Sequence, residues 1–237
     1  MGLEKRRWTL ANETDNSVMK SKQVSVGFTF KKKNWLLSLD NFYKKVTGVS
    51  SRSQVFHNQL ELLRINGEYT VIGTEILIQK QISNLITWLT YTYSDNQYTF
   101  KEFIPSTFPN NFENKHQINS GIIYDLKNLK IAIGGKWFTG KPNTLPLNNT
   151  IVNNQIVYES PNSSRLTDYF QLNFSTGYTA NFGKKTKIQI GTSIQNILNT
   201  KNTINQFFRI NQNTATIEKV NTYGLERTPN AYCRVVF

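Results

Sequence analysis

Few side chains in this sequence could do chemistry, and their spacing argues against it. Histidine occurs only at His57 and His116, and the acids that flank them are Glu61 and Glu113. A zinc site takes three or four ligands at short spacing, so both histidines read as ordinary surface residues. Cys233 is the single cysteine, which rules out an intrachain disulfide and a thiolate metal cluster. It falls on the apolar side of an alternating segment and reads as a packing residue rather than a nucleophile. No Ser-His-Asp order and no close carboxylate pair stands out. No helix pattern exists for a Gly-rich phosphate loop to open. The patterns Asn148-Asn-Thr150, Asn162-Ser-Ser164 and Asn173-Phe-Ser175 fit a glycosylation acceptor, but chance supplies them in an Asn-rich chain. The sequence therefore predicts no enzyme and no cofactor.

Formal charge is +13, from 28 Lys and Arg against 15 Asp and Glu. That balance raises nucleic acid or an anionic membrane surface as partners. The clusters Lys31-Lys32-Lys33, Lys44-Lys45 and Lys184-Lys185 sit at turns and strand ends and form no single stripe. Single-strand binding wants aromatic and basic side chains on one face, whereas Lys130 and Lys136 alternate against Trp137. Nucleic acid is not expected.

The elements that must position these residues are strands. In the stretch Arg165 to Asn199, Phe170, Leu172, Phe174, Thr176 and Tyr178 alternate with Gln171, Asn173, Ser175 and Gly177. After the turn Phe182-Gly-Lys-Lys185, Ile188, Ile190, Thr192 and Ile194 alternate with Lys187, Gln189, Gly191, Ser193 and Gln195. Period two on both sides of a turn is a hairpin of half-buried strands. No apolar run of about eighteen residues occurs, which excludes a helical membrane span. Hydrophobic content of 38% with 13% aromatic suits a transmembrane barrel, whose strands need only every second residue apolar.

Taken in order, residues 1 to 18 lack periodicity and read as a loop or entry segment. The N-terminus has basic residues but no apolar run behind them, so no signal peptide is predicted. Arg6 stands where a myristoylation motif needs Ser or Thr. Hairpins are expected around Lys31 to Asn34, Ser83-Asn84 and Lys127-Asn128. Between them lie long connections, Thr47 to about Gly67, Asp95 to Lys115 and Gly140 to Leu166, well beyond ordinary loop length. Residues 202 to 224 read as a protruding hairpin, and Pro229 opens a last strand. Tight turns and long loops thus alternate strictly. In an up-and-down meander this puts all tight turns at one end, as in outer-membrane barrels. Trp35, Tyr43, Tyr91, Tyr93, Trp137 and Tyr178 fall towards strand ends, where a membrane interface holds amphipathic rings.

Several motifs carry a resemblance. They are Asp40-Asn-Phe-Tyr-Lys-Lys-Val-Thr-Gly48, Gly73-Thr-Glu75, Asn114-Lys-His116, Gly134-Gly-Lys-Trp-Phe-Thr-Gly-Lys-Pro142, Arg165-Leu-Thr-Asp-Tyr-Phe170, Tyr178-Thr-Ala-Asn181, Gly191-Thr-Ser-Ile-Gln-Asn-Ile-Leu-Asn199 followed by Asn202, and Arg227-Thr-Pro229. In order and spacing they resemble the C-terminal strands of a TonB-dependent outer-membrane receptor, in a style similar to receptors of the Bacteroidetes. The resemblance implies a barrel of about twenty-two strands around a plug in the cell outer membrane. It also implies uptake of a scarce large solute of the siderophore, cobalamin, haem or glycan class. No plug or TonB box is recognisable in this chain. The expectation is therefore an all-β antiparallel meander of about nine strands, a curved part of a barrel that is incomplete here, over residues 19 to 237. Such a part would not transport alone and would meet the TonB complex only through an N-terminal part.

Partners implied are outer-membrane lipid and the barrel-assembly machinery, for which Tyr232, Val235 and Phe237 resemble the terminal signal. Phe170, Leu172, Phe174, Ile188, Ile190 and Ile194 are expected to face lipid. Gln171, Asn173, Gln189 and Gln195 are expected to face the lumen, as are Asp40, Glu75 and Lys187. Ligand contacts should come from the long loops, where the sequence singles out no residue. The competing reading is a soluble all-β binding module, lectin-like or basic and nucleic-acid-binding. It would show two sheets meeting in a dry core.

Overall fold

The computed structural model describes residues 17–51, 65–182 and 186–237. Alternating side chains make long antiparallel strands joined by two-residue turns. β1 (Lys20–Lys32) and β2 (Trp35–Ser50) form the first hairpin, and β3 (Asn66–Ile82) and β4 (Leu85–Thr99) the second. A short β5 (Thr107–Pro109) adds to β4 before β6 (His116–Leu126) and β7 (Leu129–Phe138). The connection after β7 carries β8 (Pro142–Asn143), β9 (Pro146–Val152), β10 (Gln155–Tyr158) and β11 (Ser164–Arg165). Then come β12 (Tyr169–Phe182), β13 (Thr186–Gln195), β14 (Thr203–Asn211), β15 (Thr216–Tyr223) and β16 (Thr228–Val236).

The main sheet runs β1-β2-β3-β4-β6-β7-β12-β13-β16, each strand beside the next, with β5 off this path. β14 and β15 pair only with each other, which is the protruding hairpin expected from residues 202 to 224. β1 and β16 are the two ends of this order, so the described sheet is open rather than closed. No second large sheet packs on it among the described residues, so the dry-cored sandwich is not what forms.

The three described tight turns of the main sheet share one geometry. Lys33, Ser83 and Lys127 each take a left-handed φ, at 50°, 49° and 44°, and each is followed by an Asn. The carbonyls of Asn34, Asn84 and Asn128 accept the amides of Gln81, Asp125 and Thr179 at 2.9, 2.9 and 2.8 Å. Each turn thus stitches its hairpin to the next strand and satisfies a backbone acceptor at the sheet's end. The turn at 183–185 lies outside the described residues, as does the segment 1–16, most of the expected entry loop.

Three boundaries differ from the sequence reading, and the first is that of β4, which runs past Ser94 to Thr99. β2 and β3 run on past Lys44 and Tyr69 to Ser50 and Asn66, so part of the first long connection is strand. β12 begins at Tyr169, and Arg165 belongs instead to β11, paired with β8. The two prolines Pro142 and Pro146 hid this local pairing.

The buried core sits at the long-loop end. Val46, Val49, Tyr98, Phe100, Phe103 and Phe108 form one cluster, with Ile65 and Tyr69 packed against it. β1 to β4 rise past the level of His116, since Tyr93 pairs with His116 while β4 continues to Thr99. At the rise of a strand that excess is roughly 20 Å. Phe100, Phe103 and Phe108 fold over it from the β4–β6 connection.

Candidate functional site: two sheet faces and a loop-end cleft

Register decides which side chains share a face. Leu39 lies opposite Ile76, and the row continues through Tyr91, Ile118, Trp137 and Phe170. Two residues along, Leu37, Ile78, Leu89, Ser120, Gly135 and Leu172 make a parallel row. Phe174 pairs with Ile194, Tyr178 with Ile190, and Ile190 with Cys233. This face is therefore apolar across all nine strands, and it carries Phe170, Leu172, Phe174, Ile188, Ile190 and Ile194 together. It is also bare: Phe28 is 67% exposed, Ile122 49% and Ile190 57%. A contiguous apolar surface of this extent needs a cover.

The band has sharp limits. On β2 it runs from Trp35 to Tyr43, about nine residues, the length a tilted membrane strand needs. Above it the same face turns charged and polar. Lys45 follows Tyr43 and pairs with Glu68 at 2.8 Å, and the next residues on this face are Thr47, Thr70, Asp95 and Gln97. Below it the ammonium of Lys80 lies 4.1 Å over the Trp35 ring, an aromatic and a long cation at one level. The six strand-end aromatics singled out in the sequence all lie on this apolar face. Tyr91 and His116 are hydrogen-bonded at 2.9 Å, and both Tyr91 and Tyr93 rings pack on the imidazole. His116 therefore sits within a cluster of aromatic rings. His57 lies outside the described residues.

The opposite face is polar in most rows. Ser38, Leu77, Thr90, Asn119, Lys136 and Gln171 share one row, and Asn173, Gln189 and Gln195 share the face. Asp40 lies directly opposite Glu75 here, and Asp125 pairs with Lys130 at 3.3 Å. Aromatics on this face lie over glycines of the next strand. A Cβ on Gly73 would meet Phe42 at 2.4 Å, on Gly121 Trp88 at 2.6 Å, and on Gly191 Tyr232 at 2.4 Å. Tyr232 therefore belongs to this face, across the strand from Val235. The expected terminal trio is thus split, with Phe237 91% exposed beyond the end of β16.

Above the sheet, buried polar side chains knit the long connections together. Glu113 is fully buried, accepts the amide of Asn96 at 3.1 Å and is ion-paired to Arg165. Arg165 also donates to the Gly140 carbonyl at 3.1 Å, and the Gly140 amide donates to Asp168 at 3.0 Å. Asn162 donates to the carbonyl of Pro109 at 2.7 Å and to Asn111 at 2.6 Å. Asn202 takes both backbone groups of Phe170, at 2.9 and 2.8 Å, as a neighbouring strand would, and so ties the β14–β15 hairpin to β12. Asn196 does similar work at the hairpin's base, donating to Thr200 and Leu225 carbonyls at 2.9 Å.

Between the β8–β11 connection and the β14–β15 hairpin lies a cleft whose enclosed part is about 70 Å³. Lys141, Tyr158, Phe112, Asn205 and Phe207 line it. Burial pushes the Lys141 ammonium below the usual lysine range and the Tyr158 hydroxyl above the usual tyrosine range. Sequence reasoning missed these residues because nothing in a Pro- and Asn-rich connection indicates how it folds back. No group of three or more metal-ligating side chains occurs among the described residues.

No family model and no curated protein matches the chain. Solved structures do. The ferric citrate transporter FecA in its unliganded form aligns over 91% of this chain and 31% of its own, with a TM-score of 0.62 at 11% identity. FpvA of P. aeruginosa, bound to heterologous pyoverdines, aligns over 97% and 29%, with a TM-score of 0.63 at 12% identity. The outer membrane transporter YddB from Escherichia coli aligns over 96% and 33%, with a TM-score of 0.58 at 12% identity. The chain therefore spans about a third of the length of each. It has the fold of a barrel portion of TonB-dependent outer-membrane transporters, as its sequence resemblance implies. These neighbours are transporters, not enzymes.

Proposed function

We propose that this chain is part of the wall of an outer-membrane barrel for active uptake of a scarce solute. The observation that carries this reading is the apolar face, about nine residues tall and bounded by Lys45 above and by Trp35 with Lys80 below. In this reading Phe170, Leu172, Phe174, Ile188, Ile190 and Ile194 face lipid, and Gln171, Asn173, Gln189 and Gln195 face the lumen. The tight turns lie on the periplasmic side and the buried loop cluster faces outward. The aromatic-over-glycine pairs support the same assignment. Glycine lets backbones approach on the inner side of a curved sheet while the ring restores packing.

The two ends of the sheet need further strands, because unpaired strand edges are not tolerated in lipid. Those strands, a plug and contact with a TonB complex would come from elsewhere in the complete barrel. The neighbours named for ferric citrate and pyoverdines suggest a chelated metal as the solute class. Tyr232, Val235 and Phe237 would serve barrel assembly, with Val235 entering lipid and Tyr232 closing over Gly191.

Single cysteines in a Cys233→Ser background, placed in the outer membrane of cells, test this. Cysteines at 172 and 174 should react with a lipid-soluble maleimide and resist a water-soluble one. Cysteines at 171 and 173 should do the reverse. Equal reaction of both sets with the water-soluble reagent would sink the membrane assignment.

A further inference from the structure

The loop-end cleft holds a cation without an anion. Lys141 is half-buried, and among the described residues no carboxylate pairs with it and no side chain accepts from its ammonium. The neighbouring charges are already engaged: Arg165 with Glu113, and Asp168 with the Gly140 amide. Tyr158, whose ring meets Phe208 at 6.5 Å, likewise has a hydroxyl with no hydrogen-bond partner among the described residues. A desolvated ammonium attracts an anion far more strongly than a surface one.

The walls are set in advance. Asn143 donates to Gln206 at 2.8 Å, and Gln206 donates to Asn221 at 2.8 Å, so the two sides of the cleft are joined. Such fixed amides hold a site open without further ordering on binding. The rest of the lining mixes the rings of Phe112, Phe207 and Phe208 with uncharged polar side chains, and Lys141 is its one charged residue. A single cation beside apolar rings suits one negative charge on an organic body. A phosphate would call for several charged donors.

We propose that this cleft binds the carboxylate of a small organic solute, with Lys141 as charge partner and the Tyr158 hydroxyl as hydrogen-bond donor. The enclosed 70 Å³ admits a carboxylate end group and leaves the organic body against the phenylalanine rings of the lining. This rests on the loop end being the solute-facing end of the barrel. Because binding needs the charged ammonium, affinity should fall as pH rises through the depressed Lys141 pKa.

Saturation-transfer NMR with benzoate and its neutral isostere benzamide, on the full chain in detergent micelles, tests it. Benzoate should give a saturable signal, weakened roughly tenfold or more in Lys141→Gln, retained in Lys141→Arg and unchanged in Lys101→Gln, an exposed lysine elsewhere. Benzamide and inorganic phosphate should give none. Far-UV circular dichroism shows whether each variant keeps its β structure, and Lys141→Arg keeps the test open if Lys141→Gln does not fold. Benzoate binding that survives Lys141→Gln, an equal loss in Lys101→Gln, or equal signals from benzamide or phosphate would each overturn the proposal. Recovery of the chain as a stable monomer without detergent would instead overturn the membrane reading, and the benzoate comparison would still be interpretable.

Discussion

The Glu113 carboxylate, fully buried, has the Arg165 guanidinium as its charge partner across 52 positions of sequence. It joins the β4–β6 connection to the β7–β12 connection, and Arg165 extends the link to the Gly140 carbonyl. Removing the arginine leaves a buried charge unpaired, whereas removing both partners leaves a neutral gap. Arg165→Met should therefore lower the stability of the loop end by about 3 kcal/mol, the low end for a buried pair because Arg165 is part-exposed. The double variant with Glu113→Gln should lose distinctly less. Limited proteolysis of the 100–115 and 139–168 connections reads both.

The ring of Trp88 occupies the space a Cβ on Gly121 would need. Gly121→Ala should displace the indole at a cost of about 1–3 kcal/mol. Adding Trp88→Ala should recover much of the loss caused by Gly121→Ala, since the clash disappears with the ring. Urea unfolding midpoints in micelles measure both, and indole fluorescence reports the displacement in the single variant.

Depth across the apolar band should grade the cost of a charge. Ile133 is in the middle of the β7 stretch and Leu129 at its turn end. Ile133→Lys should cost about 2–4 kcal/mol of membrane stability, and Leu129→Lys about 1 kcal/mol or less, because a lysine near the interface reaches water. Fractions inserted into lipid vesicles over a urea series would show the difference. Equal costs would mean that no lipid gradient crosses this face.

Glu218 on β15 is held below the usual carboxylate range, first by the Asn211 amide and then by Arg209. A carboxyl whose folded pKa is depressed contributes stability above its unfolded pKa, and this is lost as pH falls through the folded value. Amide protection in β14 and β15, taken relative to the intrinsic exchange rate at each pH, should thus fall on acidification below the ordinary carboxylate range. Glu218→Gln should flatten that response.

Period-two alternation was enough to read the strands, the three described turns, the common face of Phe170, Phe174, Ile190 and Ile194, and the protruding hairpin. It was enough because each hairpin residue has one of two directions. The continuation of β2 to Ser50 was harder to see, because the face reverses its character there. Up to Tyr43 the apolar residues point to the bare face, and from Val46 they point to the loop cluster. Lys141 and Tyr158 could not be read at all. Their closeness depends on how β8 to β11 fold back beneath the β14–β15 hairpin, which no local spacing encodes.

The unequal reach of the strands means that the loop-end rim is built in two ways. β1 to β4 stand about six residues above β6, β7 and β12, and the aromatic cluster of Phe100, Phe103 and Phe108 braces that taller portion from within. Over β6, β7 and β12 the rim is built instead from the β8–β11 connection and the β14–β15 hairpin, tied to β12 by Asn202. Lys141 lies in that second portion, where the 139–168 connection folds back against the hairpin. The two portions of the rim therefore differ in kind, continuous strand in one and cross-linked connections in the other, so cutting the 139–168 connection would alter one and leave the other intact.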